Sequence, residues 1–488
     1  MISILRKQSF LIFLILLSSF LRLSGLGYSN FYGDETKTLY LNKTIPALSF
    51  FMNQRKGPVQ FLMVWIMEKL SGGYSEFFVR LPFALASILA VVVFYFLVKR
   101  LFNSQVAYVS SLLLSINGLS IAFGRTAQYQ SFLLLFGLSS LYLLSLFFGN
   151  IKKKYLLIFA FFFLALAVLC HYDGIFYLVP FIVIIISNRE EIGKDKKFVW
   201  WALPGLLLFL AIISIFYLPY YSNGSFTTNS AGYLSRRVFG SGYSPNNSLY
   251  AAKIYNPFFI PFIFMFLSLF GVVGQPNWKK VMLILWFAVP FIVFEFIFLN
   301  PGTHIFNYYL PLFVLSGVGI VWLYDYFKET RSKRSFSVLI VFLFILNTLI
   351  VIFTYVPKFN FGYPWKIFRP NKAYHLYLYG FPYNRAWKEI GTYLKFKGAR
   401  NFYTNDNITV AEYYLYGIPP TQLVISDQQY PQYYIYVYNN QEFNNEKDKL
   451  PSFYVLDKDF YSEGRVVARV FRLMIQKPVN YKLTFSGF

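Results

Sequence analysis

Apolar stretches of roughly 17 to 22 residues recur from the N-terminus to about residue 356, and each is about the length that crosses a bilayer as an α-helix. By length and hydropathy, spans are expected at about 10–26, 82–98, 105–123, 131–149, 155–170, 174–187, 199–219, 257–275, 281–299, 308–326 and 336–356, about eleven helices in all. The segment GPVQFLMVWIMEKL at 57–70 is also apolar, but it is short for a crossing and ends in Glu68 and Lys69. It is expected to lie along the membrane surface, as an interfacial helix in a first outer loop at 27–81.

Basic residues set the orientation of this pattern. With the N-terminus cytoplasmic, Lys99 and Arg100, Lys152 to Lys154, Arg189 with Lys194, Lys196 and Lys197, Lys279 and Lys280, and KETRSKRS at 328–335 all fall on the cytoplasmic side. Counting 57–70 as a span would move every later basic loop to the outside. An odd number of spans leaves the chain after about residue 357 outside, where its texture turns polar and Tyr-rich. In that tail NRAWKEIGTYLKFKGA has Ala386, Trp387, Ile390, Tyr393 and Leu394 near helical spacing, while YYIYVY and GRVVARVFRLMI read as strands. The expected organisation is a membrane domain over 1–356 and a small α/β outer domain over 357–488. Arg6 and Lys7 precede the first apolar run with no small-residue cleavage pattern after it, so that run reads as a retained signal anchor.

Composition agrees with a multi-pass protein of a plasma (inner) membrane: 57% of residues are hydrophobic, 22% are aromatic, and the mean hydropathy is +0.47. The formal charge of +24 would suggest nucleic acid in a soluble chain, but here the cations lie mainly in short loops, so no nucleic-acid partner is expected. The single cysteine, Cys170, excludes an internal disulfide and argues against a cysteine metal site. N-x-S/T tripeptides at Asn42, Asn223, Asn246 and Asn407 fall on the expected outer side, but such tripeptides are frequent by chance.

The candidate chemistry lies among polar groups at the outer ends of spans: Asp34 and Glu35 in FYGDETKTLY, Arg55 and Lys56, Arg80, Arg125, His171, Asp173, and His304 with NYY at 307–309. A carboxylate among cations suits displacement of a phosphate-linked group. Lys56, Arg125 and His304 would neutralise a departing lipid phosphate while Asp34 takes a proton from the incoming hydroxyl. Glu35 would raise the proton affinity of Asp34 by like-charge repulsion or position the acceptor. Each residue also has a structural reading. Acids beside a helix start act as caps, interfacial cations reach lipid head groups, and a histidine at a helix end satisfies a carbonyl.

In their order along the chain these segments resemble the polytopic GT-C fold glycosyltransferases that use polyprenyl-phosphate sugars, especially the protein O-mannosyltransferase and lipid A aminoarabinose transferase group. The resemblance rests on GDETKTLY, GGYSEFFVRLPF, FGRTAQYQSF, HYDGIFYLVPF and THIFNYYLPLF, and it covers most of residues 1 to about 356. It implies Asp34 and Glu35 as the catalytic acids, donor-phosphate contacts from Lys56, Arg125, His304 and Tyr308, and a substrate cavity bordered by Arg55, Arg80 and His171. The implied partners are a polyprenyl-phosphate-linked sugar and a glycolipid, polysaccharide or protein acceptor, with the site on the outer face and membrane lipids around the body. Many relatives have His-Pro-Pro or Glu-Lys-Pro before the interfacial helix, where this chain reads QRKGPVQF. No metal ligand set is assigned from the sequence, and no cofactor is expected to be obligatory, although a divalent metal is compatible with the chemistry.

Two other classes compete. A lipid-linked sugar flippase or transporter would show inverted repeats and polar groups near the midplane, whereas here no repeat is evident and the polar groups gather at one face. A membrane scaffold would leave the paired acids idle.

Overall fold

The computed structural model describes residues 2–194, 198–239, 248–273, 277–299, 302–328, 332–360, 362, 379–421, 430–438 and 453–474. Asn246, Lys196, Lys197 and residues 329–331 of the basic loop lie outside the described residues. By packing, the chain divides into two compact units: Met1–Tyr28 with Thr38–Pro382, and Ser29–Lys37 with Tyr383–Phe488.

The first unit is helical. Its described helices are α1 Ile2–Leu23, α3 Ala47–Met52, α4 Val59–Ser71, α5 Glu76–Leu101, α6 Ser104–Ser115, α7 Gly118–Gly124, α8 Gln130–Gly149, α9 Tyr155–Cys170, α10 Leu178–Ser187, α11 Arg189–Lys194, α12 Phe198–Ser222, α13 Gly232–Phe239, α14 Ser248–Tyr255, α15 Ile260–Phe270, α16 Trp278–Ile292, α17 Phe306–Tyr326 and α18 Ser332–Tyr355. Each of the eleven expected apolar stretches carries helix. Among the described residues, six helices are long and apolar enough to cross a membrane, and the bent pair α6 and α7 makes a seventh. Four shorter apolar helices, Ser9–Leu23, Tyr155–Cys170, Tyr172–Ser187 and Ile260–Phe270, account for the remaining stretches. The segment expected to be interfacial is α4.

Burial separates central helices from peripheral ones. The most apolar window of α5 is 67% buried inside the protein, whereas that of α12 is 6% buried although it is nearly as hydropathic, so α12 presents its side chains outward as a lipid-facing helix does. On α17, small residues permit close approach to two neighbours. A Cβ on Gly317 would lie 2.1 Å from Ser110 Oγ of α6, and one on Gly319 would lie 2.1 Å from the Leu267 carbonyl oxygen of α15.

Arg22, not singled out in the sequence, is fully buried near the end of α1. Its Nε donates to Ser87 Oγ at 2.8 Å, Nη1 to the Ser115 carbonyl at 3.1 Å and Nη2 to Ser120 Oγ at 3.0 Å, which ties α1 to α5, α6 and α7. A guanidinium offers five donors, and such partners are what make a buried one tolerable. The sequence also predicts one continuous helix over 105–123, and here the structure differs. The chain bends by 61° after α6 because Asn117 leaves helical geometry and its side chain caps α7 through the Ser120 amide. Gly118 follows because a Cβ there would meet the Tyr255 carbonyl oxygen at 1.6 Å.

The second unit is α/β. Helices α19 Trp387–Phe396 and α20 Ile408–Tyr414 accompany strands β1 Phe402–Thr404, β2 Tyr433–Val437, β3 Tyr454–Ser462 and β4 Arg465–Leu473. The sheet order is β1-β2-β4-β3, with β1 parallel to β2 and the other pairs antiparallel. Helix α19 and strands β2 and β4 fall where apolar spacing puts them. Strand β3 was not expected, because its Asp457, Lys458 and Asp459 interrupt the apolar alternation and register shifts occur on both sides of that stretch. Positive φ at Glu463 and Gly464, 49° and 74°, forms the tight turn that joins β3 to β4.

The N-terminal strip Ser29–Lys37, with the short helix α2 Gly33–Thr36, belongs to this second unit. The Phe31 amide donates to Tyr414 Oη at 2.9 Å, the Arg385 amide to Asn30 Oδ1 at 2.7 Å, and the hydroxyls of Thr36 and Thr409 meet at 2.8 Å. Arg385 Nη2 donates to the Phe31 carbonyl, and Nη1 lies 2.9 Å from Asp406 Oδ2 in a buried ion pair. Asp406 also accepts from Trp387 Nε1 at 2.8 Å.

Candidate active site

In the membrane body, a polar cluster is assembled by two helix ends and the turns attached to them. Helix α9 stops at His171, which adopts an extended conformation (φ −169°, ψ 150°). The His171 Nδ1 accepts the Asp173 amide at 3.1 Å and so caps the following 3-10 turn Tyr172–Tyr177. Gly174 lets this turn fold back on α9, since a Cβ there would stand 2.5 Å from the Ala167 carbonyl carbon. The motif HYDG thus delivers a buried carboxylate, with Asp173 1% exposed.

Ahead of α17, the 3-10 turn Gly302–Ile305 delivers His304, and the first turn of α17 delivers Asn307. His304 Nδ1 lies 2.7 Å from Asp173 Oδ2, and Asn307 Nδ2 donates to the same oxygen at 3.0 Å and to the His304 carbonyl at 2.9 Å. His171 Nδ1 lies 3.0 Å from the other oxygen, Asp173 Oδ1. Tyr129, just before α8, stacks on the His171 ring at 4.0 Å and 10°, while its hydroxyl lies 3.2 Å from His304 Nδ1. Lys56 Nζ lies 3.4 Å from Gln128 Oε1 and 5.9 Å from the Tyr129 ring centroid. Gly57 brings that lysine in, because at φ +94° its Cα packs on the end of α9, where a Cβ would meet the Leu169 carbonyl oxygen at 2.2 Å.

The sequence-derived candidates therefore separate. Lys56, His171 and His304 come together around Asp173 and Tyr129. Tyr129 carries no sequence signal beyond its place in GRTAQYQ. Tyr308 donates its hydroxyl to Glu295 Oε1. Arg80 is buried and donates to the Leu26 carbonyl at 3.0 Å. Arg125 is buried against the end of α1, donating to the carbonyls of Leu21 at 3.1 Å and Ser24 at 2.9 Å. These are carbonyls that a helix C-terminus leaves open. Arg55 is half-buried in the turn before α4.

Asp34 and Glu35 are described with the second unit. Glu35 is fully buried and its Oε2 accepts the Tyr32 amide at 3.0 Å, which caps α2. Asp34 is more open, with its side chain 20% exposed and Oδ1 3.0 Å from Lys37 Nζ.

Two apolar clefts open between helices of the membrane body. One is lined by Asn117, Pro261, Phe264, Tyr309 and Phe313, and the other by Leu119, Phe123, Gln130, Phe306 and Phe313. In the second, Gln130 and Phe306 are the chain neighbours of Tyr129 and Asn307.

Comparison with known proteins gives the fold. The sequence profile of the dolichyl-phosphate-mannose-protein mannosyltransferase family matches residues 55–217, which include Lys56, Tyr129, His171 and Asp173. No curated protein sequence matches the chain. The structure of ArnT from Cupriavidus metallidurans bound to undecaprenyl phosphate superposes with a TM-score of 0.58 at 12% identity, over 94% of this chain and 97% of that one. The oligosaccharyltransferase AglB from Archaeoglobus fulgidus, in complex with an inhibitory peptide and a dolichol-phosphate, superposes with a TM-score of 0.50 at 14% identity, over 85% of this chain and 60% of that one. The chain has the GT-C fold that its motif order implies.

Proposed function

We propose that this chain moves a sugar from a polyprenyl-phosphate carrier to a nucleophile on a glycolipid, polysaccharide or protein, on the extracytoplasmic side of the membrane. The observation that carries the reading is the cluster of Lys56, Tyr129, His171 and His304 inside the apolar membrane body. Support comes from the GT-C fold, whose relatives above are described with undecaprenyl phosphate and dolichol-phosphate bound.

In this reading the prenyl chain occupies apolar surface next to the cluster, while Lys56 and His304 face the phosphate and stabilise its charge as it departs. Asp34 acts as general base. It takes the proton of the acceptor hydroxyl as that oxygen bonds to the anomeric carbon, and the bonding electrons of the old glycosidic link leave on the lipid phosphate. One displacement inverts the anomeric centre, and the phosphate leaving group needs little help from an acid. Glu35 holds the turn that presents Asp34. Arg125 and Arg80 fix the chain at the end of α1.

The test is reconstitution of the full chain with a radiolabelled polyprenyl-phosphate sugar. The reading expects polyprenyl phosphate to be released only when an acceptor is present. Movement of the labelled lipid across the bilayer without sugar transfer would overturn it in favour of a transporter.

A further inference from the structure

We infer that His171, Asp173 and His304 form a binding site for a divalent transition-metal ion such as Zn2+ or Mn2+. Two imidazoles and one carboxylate, brought by segments 131 positions apart, place one ligand atom each within 4.8 Å of one another. All three residues are buried, and Asp173 is the most deeply buried of them.

The hydrogen-bond accounting requires a further partner. Asp173 Oδ2 is well supplied by Asn307 and His304, whereas Asp173 Oδ1 is buried with no hydrogen-bond partner. Its neighbour is His171 Nδ1 at 3.0 Å, yet that nitrogen already accepts the Asp173 amide at 3.1 Å. One imidazole nitrogen either accepts through its lone pair or donates a proton, and it cannot do both. With the lone pair used, two acceptors face each other in a low-dielectric setting. With a proton there instead, the buried amide loses its acceptor. A cation bound at Oδ1 supplies its missing partner and offsets the cost of a buried carboxylate, while the histidine nitrogens that ligate it give up their present hydrogen bonds in exchange.

The dimensions fit. Nitrogen and oxygen ligands about 2.0–2.2 Å from a tetrahedral Zn2+ lie roughly 3.4 Å from one another. The present His171 Nδ1–Asp173 Oδ1 separation of 3.0 Å needs to open by about 0.4 Å, which rotation of the carboxylate supplies. Asn307 would keep its bond to Oδ2 and hold the carboxylate from outside the coordination sphere, as partners of metal-ligating carboxylates do. Three protein ligands leave one position open. Lys56 adds positive charge nearby, so that position suits an anion such as a phosphate oxygen.

Metal binding stands or falls independently of glycosyl transfer, because its readout is the ion itself. The full chain, purified in detergent and stripped with a chelator, is titrated with Zn2+ alone, and bound metal is counted after gel filtration. Co2+ is then loaded to read its visible d–d bands, which report nitrogen and oxygen coordination. The expected result is one equivalent per chain in the wild type. Asp173→Asn and His304→Gln are expected to lose it while eluting unchanged, and Asn307→Ala to weaken it by about 10- to 100-fold. Absence of a bound equivalent in the wild type would overturn the inference. Equal binding by Asp173→Asn and His304→Gln would do the same, because the ion would then lie elsewhere.

Discussion

Glu35 in the second unit and Asp173 in the membrane body are both carboxylates with almost no exposed surface, 0% and 1%. They are buried by opposite means. Glu35 finds an acceptor role three positions back along the chain, at the Tyr32 amide, within its own helical turn. Asp173 depends on His304 and Asn307, which approach from 131 and 134 positions away. A carboxylate satisfied locally is a helix cap. One satisfied only by distant groups, with an oxygen left over, is a place where the fold has concentrated polar chemistry inside an apolar body.

The contrast can be broken or sharpened by substitution. The largest stability effect is expected for Arg385→Ala. It strips a buried ion pair and should cost about 3–5 kcal/mol, read as loss of cooperative melting in the second unit and increased amide exchange across residues 29–37. Asp173→Ala leaves the donors of His304 and Asn307 buried without an acceptor, and a loss of about 1–3 kcal/mol is expected in a detergent melt. If Asp173→Ala instead melted like the wild type, the cluster would contribute nothing to holding α9 and α17. Glu35→Ala should cost about 1 kcal/mol, the usual worth of a cap, with exchange raised at the Tyr32 amide. Lys37→Ala removes a largely exposed partner of Asp34 and should change stability by less than about 1 kcal/mol, with any effect fading at high salt.

The membrane helices were legible because hydropathy is a property of windows, and each expected stretch is apolar over enough residues to register. The break at Asn117 was not. A single capping side chain and a contact with Tyr255 decide it, and neither changes the mean hydropathy of 105–123. In the candidate site, His171, Asp173 and His304 were visible one by one as polar groups at the ends of apolar runs. Their convergence on one carboxylate was not visible, since nothing local in HYDG or THIFN specifies the other. Tyr129 was hidden among many aromatic residues. At DE, adjacent acids look alike in sequence, and burial with the hydrogen bond to Tyr32 distinguishes the capping Glu35 from the more open Asp34.

That distinction leads to the most direct test of the proposed chemistry. Acceptor-dependent release of polyprenyl phosphate is measured for the reconstituted wild type, Asp34→Asn and Glu35→Gln, with equal folded protein confirmed by melting. A general base typically contributes about 10²- to 10⁴-fold, so Asp34→Asn should lose at least about 100-fold in turnover, whereas Glu35→Gln should stay within roughly tenfold of the wild type. Full turnover by Asp34→Asn would contradict the account, and so would a Glu35→Gln variant that is silent while Asp34→Asn remains active.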